Sequence, residues 1–135
     1  MICVYVSARR LVNAVADAAG TTGRGGGVAI IYRQHLKCST LPMLTCPSLE
    51  VICVSLIATS GPFVIINIYR PGSEKPSSLI FEELTNVVEM LVVYSCPVMV
   101  GGDVNLRAQE DNDTDTRRFI NILSSFNMIH HVHNL

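Results

Sequence analysis

The sequence has few charged residues and no strongly charged segment. Ten Lys and Arg residues balance eleven Asp and Glu residues, which leaves a formal net charge of −1. No basic run of the kind that binds nucleic acid by charge alone is present, although a metal ion and a few arginines can hold phosphates without one. Hydrophobic residues make up 49% of the chain, so we expect a globular domain rather than a disordered segment.

The cysteines form no recognisable framework. They are odd in number, are scattered along the chain and include no C-x-x-C pair: Cys3, Cys38, Cys46, Cys53 and Cys96. This arrangement argues against both a disulfide scaffold and a zinc knuckle. Reduced thiols in an intracellular protein, cytoplasmic or nuclear, fit the pattern best, and we interpret Cys53 and Cys96 as core residues.

Long apolar runs are also lacking. Residues 1–6 are too few for the core of a signal peptide, and Ser7-Ala-Arg-Arg10 follows directly. No uninterrupted apolar segment approaches the ~20 residues of a membrane-spanning helix, because Glu89 and Pro97 interrupt the longest candidate. The sequence has no internal repeat, and its length suits one domain or a piece of one. We expect a soluble protein that makes no contact with membranes.

Several segments have the alternating, β-branched character of strands. Val28–Arg33 is a predicted strand that follows the glycine-rich turn region 20–27. Residues 50–57 and 63–70 are predicted to form a hairpin, and both strands are apolar on both faces, which is typical of strands inside a layered fold. Residues 35–48 are interpreted as a loop with one short strand.

Other segments have helical spacing. One helix is predicted to begin at Ser77 or Ser78 and a second at Asp113 or Thr114, and a weaker pattern predicts a helix over residues 8–19. Between the two main helices lies a predicted buried strand, residues 97–102, and residues 129–132 begin a further strand. The order of elements predicts an α/β (α+β) fold in which helices pack on a mixed sheet.

The strand at 97–102 runs into a polar ending, Gly101-Gly-Asp-Val-Asn105. If the chain stays extended past Gly102, its period of two places Asp103 and Asn105 on the same side. They would then lie at the carboxyl end of a strand, where open α/β sheets bind ligands. A carboxylate there can hold a hard metal ion, and an amide can donate to a phosphate oxygen. A polar strand exit without chemistry is the alternative, and spacing alone leaves both open.

Three short motifs occur in order along the chain: GRGGGVAIIY at 23–32, IINIYRP at 65–71 and VGGDVN at 100–105. Together they resemble the endonuclease/exonuclease/phosphatase (DNase I-like) superfamily. More narrowly, they resemble the apurinic-type endonuclease domain of non-LTR (LINE-like) retrotransposons. The resemblance covers residues 22–135 and leaves residues 1–21 unassigned. Val104 stands where the family usually has phenylalanine.

The resemblance implies a four-layer α/β sandwich of mixed β-sheets with flanking helices. It implies cleavage of DNA phosphodiesters with Mg²⁺ or Mn²⁺. Asp103 matches the carboxylate that activates the attacking water, Asn105 the amide that contacts the scissile phosphate, and Tyr69 the tyrosine that supports that phosphate. Asn67, on the same side of its strand as Tyr69, is a candidate neighbour of the substrate. Arg117 is a candidate phosphate contact, although a solvated arginine is at least as plausible from the residues alone.

The chain also departs from the family. Nothing matches the family's upstream metal-binding asparagine and glutamate, and Glu50 follows that region and is not equated with them. The terminal Ser-Asp-His motif is missing, so we expect a domain incomplete at both ends, with no complete metal site and little activity alone. The remainder of a retrotransposon polyprotein is the expected partner besides DNA. A non-catalytic remnant or binding fragment, and a phosphatase of the same superfamily, are the alternatives.

Three further patterns have simpler explanations. The glycine-rich segment 23–27 precedes a strand, whereas phosphate-binding loops follow one. His130, His131 and His133 have no third type of ligand nearby in sequence, which favours surface histidines. The alternating aspartates at 111–115 lack the glycine and glutamate of a calcium loop and are interpreted as a helix-capping segment.

Overall fold

A computed structural model of the protein describes residues 2–5, 12–17, 28–72, 75–106 and 114–129. Within these residues the chain forms seven strands and two helices, in the order β1 (Ile2–Tyr5), β2 (Val12–Asp17), β3 (Val28–Arg33), β4 (Lys37–Thr40), β5 (Glu50–Ala58), β6 (Gly61–Tyr69), α1 (Ser78–Leu91), β7 (Val98–Asp103) and α2 (Thr114–Ser125). The strands form two mixed sheets, one in the order β1-β3-β2 and one in the order β4-β5-β6-β7. The α/β class and the mixed sheets expected from the sequence are confirmed.

The centre of the four-stranded sheet is the predicted hairpin. β5 and β6 pair antiparallel along their whole length, from Glu50 opposite Tyr69 to Ala58 opposite Gly61. β7 lies on the other side of β6 and runs parallel to it. Parallel neighbours need a crossover connection, and α1 provides it. The predicted hairpin and the predicted start of the first helix are therefore both found.

Side chains of β5 and β6 alternate between two apolar clusters. The cluster facing the three-stranded sheet contains buried residues of β3, β5 and β6: Val28, Ile30, Tyr32, Ile52, Val54, Leu56 and Ile65. The cluster on the opposite face joins the sheet to α1 and includes Cys53, Val64, Ile66, Ile68, Phe81, Leu84, Val87 and Leu91. Each face of the hairpin is thus covered by another layer, which explains why both faces are apolar in the sequence.

The helix predicted over residues 8–19 is wrong. Residues Val12–Asp17 form β2, which pairs antiparallel with β3 from Val12 opposite Arg33 to Asp17 opposite Val28. The segment has only a weak helical pattern, and pairing along a full strand outweighs it, since tertiary context overrides propensity in short segments. β1 pairs parallel to the other side of β3.

The last described strand is less buried than the sequence suggested. β7 spans Val98–Asp103 rather than 97–102, and most of its residues are only partly covered. Met99 is 57% exposed. Among the described residues β6 is its one strand neighbour, so one edge of β7 lacks a partner there. Ile129 lies outside any strand, and residues 130–132, the rest of the final predicted strand, lie outside the described residues.

Neither described helix is long and apolar enough to cross a membrane.

The cysteine thiols lead to a first prediction. The four described cysteines, Cys38, Cys46, Cys53 and Cys96, are free. Cys53 is 1% exposed, and burial raises its pKa to about 11. Because the thiolate is the reactive form, Cys53 stays protonated until the pH approaches 11.

With iodoacetamide at pH 8, we therefore expect Cys53 to remain unmodified in the native protein and to react fully in guanidinium chloride. Peptide mass spectrometry measures both, with the partly exposed Cys38 as the internal control. Native Cys53 reacting as fast as Cys38 would contradict this packing.

Candidate functional site

Three polar side chains form a row across the four-stranded sheet. Glu50 of β5 is the register partner of Tyr69 of β6, and Tyr69 is the register partner of Asp103 of β7. Register partners project to the same face of a sheet. Tyr69 packs against the apolar cluster between the two sheets, so this face looks toward the three-stranded sheet. The row lies where β6 and β7 end, and it brings Tyr69 next to Asp103.

Asp103 and Asn105 are held together by a turn. The strand ends at Asp103, and Asn105 adopts a left-handed backbone conformation with φ of 48°, which asparagine tolerates better than most residues. The Asn105 backbone N–H donates to Asp103 Oδ1 at 2.8 Å. The chain is extended through Asp103, and beyond it a hydrogen-bonded turn, rather than further strand, brings the two residues together. One carboxylate oxygen of Asp103 is oriented by this bond.

Arg70 fastens this turn to the end of β6. Its backbone N–H donates to Asp103 O at 2.9 Å. Its side chain donates from Nε to Val104 O at 2.8 Å and from Nη2 to Asn105 O at 2.7 Å. Asn105 Nδ2 donates in return to Arg70 O at 2.7 Å. The side chain of Arg70 is 4% exposed, so these bonds are shielded from water and fix the backbone of residues 103–105.

Gly102 allows β7 to approach β6 closely. Its φ is 129°, and a Cβ at this position would overlap the backbone carbonyl of Ile68. Only glycine adopts this conformation readily. The glycine before Asp103 thus allows the close pairing of β7 with β6 that brings Asp103 opposite Tyr69.

Asn67 is more deeply buried than a residue that contacts substrate would be. Its side chain is fully buried, with 0% exposure, and Nδ2 donates to Ala29 O of β3 at 3.1 Å. Asn67 does lie on the Tyr69 side of β6, but it links the two sheets. Asn67 is thus an inter-sheet contact in this structure, and its place beside a substrate stays a prediction.

The arginines of α2 lie on the other side of the sheet. The Arg118 guanidinium lies 4.4 Å from the centroid of the Phe81 ring of α1, a cation–π distance. Arg117 is exposed, and among the described residues no hydrogen bond or ion pair joins it to the Glu50–Tyr69–Asp103 row. Its contact with DNA stays a prediction.

Two residues of this region were missed in the sequence. Arg70 stands inside the Tyr-Arg-Pro motif, but nothing in the spacing shows that its side chain reaches residues 104 and 105. Glu50 becomes a neighbour of Tyr69 through the hairpin register, which the two-residue turn Thr59-Ser60 fixes. The strands predicted from the sequence, 50–57 and 63–70, leave a five-residue connection at 58–62. A two-residue turn would instead have placed Glu50 opposite Tyr69.

The residues present fit a hard divalent cation in part. Within the described residues no three His, Cys, Asp or Glu side chains are grouped to hold a metal ion. The row nevertheless contains two carboxylates, and oxygen ligands are those that Mg²⁺ and Mn²⁺ prefer. Glu50 Oε2 is enclosed and has no hydrogen-bond partner among the described residues. An enclosed carboxylate oxygen without a donor is unfavourable, but an oxygen enclosed in this way is also out of reach of a hydrated ion, so the described residues do not form a complete metal site.

Comparisons with known proteins place the fold. No family model matches the sequence, and no curated protein matches it significantly. Among solved structures, the chain is similar to the endonuclease domain of TRAS1, a telomere-specific non-LTR retrotransposon, with a TM-score of 0.63 and 19% sequence identity. The similarity covers 87% of this chain and 53% of that one, so this chain spans about half of its neighbour's length. Over that part, the protein has an α/β fold similar to the fold of that domain.

Proposed function

We propose that the protein is part of a metal-dependent DNA endonuclease domain of retrotransposon origin, and that Asp103, Asn105 and Tyr69 form one corner of its active site. The observation that carries the proposal is the pairing of Tyr69 with Asp103 in register, followed by the turn to Asn105. The fold similarity to the TRAS1 endonuclease domain supports it independently of the motifs.

Each residue has a role that suits its surroundings. One oxygen of Asp103 accepts the Asn105 N–H, which leaves the other to orient an attacking water and take its proton. The Asn105 amide uses one N–H on Arg70 O, and its second N–H is the donor for the scissile phosphate. The Tyr69 hydroxyl supports the same phosphate. A bound Mg²⁺ or Mn²⁺ would neutralise charge on the phosphate, and Asp103 would be one of the carboxylates that hold it.

We further propose that this chain alone cleaves DNA poorly. When catalytic groups act together, removing one of them loses most of the activity of the whole set. The described residues supply only some of the groups that such a site needs. The same reasoning favours a non-catalytic remnant as the second candidate function. DNA, and the rest of a longer polyprotein, are the proposed partners. Arg117 is proposed to contact a DNA phosphate.

A chimera tests the endonuclease proposal. Residues 28–129 would replace the matching part of the TRAS1 endonuclease domain, and nicking of supercoiled plasmid would be measured with Mg²⁺ or Mn²⁺. We expect the chimera to nick DNA and Asp103→Ala to lower the rate by about 10²–10⁴-fold, the contribution of a positioned general base. Glu89→Ala, a change on the exposed side of α1, is the matched control and should leave the rate unchanged.

Two outcomes would count against the proposal. A folded chimera without activity favours the non-catalytic remnant. A chimera whose activity survives Asp103→Ala removes Asp103 from the chemistry. Separately, robust nicking by this chain alone that is abolished by Asp103→Ala would disprove the expected low activity.

A further inference from the structure

β7 is an edge of the four-stranded sheet that lacks protection against pairing with another chain. Among the residues that the structure describes, β6 is its one strand neighbour. Residues 98–102 contain no charged side chain and no proline, and Met99 is 57% exposed. Edge strands are usually kept from pairing by charged side chains, by proline or by shortness. The free edge of β7 is therefore suited to accept a further strand.

β4, at the opposite edge of the same sheet, is protected. It has only four residues, Lys37–Thr40, and the side chains of Lys37, Ser39 and Thr40 are exposed. A short, polar strand that carries a lysine resists pairing between chains. Of these two edges, only that of β7 is open to a partner.

The register with β6 shows which backbone groups of β7 face the free edge. The Val64 N–H of β6 donates to Pro97 O at 2.9 Å, and Val64 is the register partner of Val98. Backbone groups alternate in direction along a strand. The N–H and C=O groups of Val98 and Val100 therefore point away from β6, toward the free edge.

The sequence of β7 is self-complementary when two copies pair antiparallel about Val100. The outward N–H and C=O groups of Val100 in the two copies would form a hydrogen-bonded pair. In this register Met99 lies opposite Gly101 of the second copy, and Val98 lies opposite Gly102 of the second copy. Each larger side chain thus faces a residue that has none, so the two strands fit together without a clash.

The charges also suit this pairing. The two Asp103 carboxylates would lie at opposite ends of the paired strands, about 20 Å apart. Exposed charges interact over ~8 Å at physiological ionic strength, so the two carboxylates would not repel each other appreciably. The pairing uses the β7 edge of both copies and leaves the protected β4 edges outermost, so assembly stops at two chains.

We propose that two copies of this chain associate through β7 into a two-fold dimer, in which the two four-stranded sheets become one continuous sheet. The interface is small, and small interfaces are weak, so the dimer forms at high protein concentration. Both Asp103–Asn105 turns then lie on the same face of the joined sheet. The dimer does not depend on the proposed nuclease activity, since it uses only the edge of β7.

Sedimentation equilibrium and hydrogen exchange test the dimer on the full chain. Between about 10 µM and 1 mM, we expect the average mass to rise from that of one chain to that of two. Over the same range the amides of Val98 and Val100 should come to exchange about tenfold more slowly, because pairing protects them. A chain that stays monomeric would overturn the proposal, as would a dimer in which these two amides exchange at the monomer rate.

Substitutions of Met99 test the register of the pair. In the dimer, position 99 lies diagonally across from Asp103 of the second copy, about 7–8 Å away. Met99→Glu brings like charges together in two symmetric places and should weaken dimerisation about tenfold. Met99→Lys brings opposite charges together and should weaken it much less. Because Met99 is exposed, both variants should keep the fold of the single chain.

Leu44→Glu, at a residue that is 48% exposed and lies between β4 and β5, is the matched control and should leave dimerisation unchanged. Equal weakening by Met99→Glu and Met99→Lys would reject the antiparallel register about Val100. Weakening by Leu44→Glu as large as that by Met99→Glu would show that the β7 edge is not the interface.

Discussion

Gly102→Ala is expected to destabilise the protein strongly. A Cβ there would overlap the carbonyl of Ile68 in the neighbouring strand, and the φ of 129° is one that alanine adopts with strain. Overpacking costs about 1–3 kcal/mol or more, and the backbone strain adds about 1–3 kcal/mol. At its upper end, about 6 kcal/mol, this destabilisation would equal the whole stability of a marginally stable small domain, roughly 5 kcal/mol.

Gly61→Ala separates the two causes. Gly61 has a similar φ of 116°, but a Cβ at that position would meet nothing within 4 Å. We expect Gly61→Ala to lose only the strain term of about 1–3 kcal/mol in urea unfolding followed by circular dichroism. Gly102→Ala should lose clearly more or fail to fold. Equal losses in the two variants would show that β7 does not approach β6 as closely as described.

The elements of this fold that were predictable are those whose signals are local. The hairpin of β5 and β6 shows two apolar faces in sequence, and α1 combines a serine start with apolar residues at helical spacing. Each signal is complete within a single hairpin or a single helix. β2 has no such signal, because its strand conformation depends on pairing with β3, more than ten residues away along the chain.

The positions of single residues in the candidate site were also predictable only where the signal is local. Asp103 and Asn105 could be recognised in the sequence as a carboxylate and an amide that follow an apolar strand and two glycines. Their juxtaposition, however, depends on a left-handed residue and a hydrogen bond, which strand periodicity does not describe. Asn67 shares a face with Tyr69, as the period of two requires, yet its depth between the sheets was invisible in the pattern. The period of two in a strand gives the face of the sheet on which a side chain lies. The burial of that side chain depends on how other elements pack on the face.

Arg70 was overlooked for a related reason: its role lies in contacts made 34 and 35 residues further along the chain. The proposed catalytic pair stands on a turn, and turns are less rigid than strands unless neighbouring groups fix them. Arg70 supplies that support through its buried guanidinium. The site therefore depends on a residue that need not touch the substrate.

Arg70→Met is expected to destabilise the protein by about 2–6 kcal/mol, since two shielded carbonyl oxygens, of Val104 and Asn105, would each lose a donor at about 1–3 kcal/mol. Methionine keeps much of the apolar stem, so the loss reports mainly on the hydrogen bonds. Arg70→Lys should recover only part of it, because an ammonium cannot reproduce the forked geometry that bonds two carbonyls. Urea unfolding measures all three proteins.

Hydrogen exchange distinguishes support of the turn from general stability. In Arg70→Lys we expect the Asn105 amide, which donates to Asp103 Oδ1, to exchange faster by more than the change in global stability accounts for. Amides in the middle of α1 should follow the global change alone. Arg118→Met, which removes an arginine that stacks on Phe81, is the matched control and should leave Asn105 exchange at the global value. Parallel changes at Asn105 and α1 in Arg70→Lys would mean that Arg70 stabilises the fold without positioning the turn that carries Asp103 and Asn105.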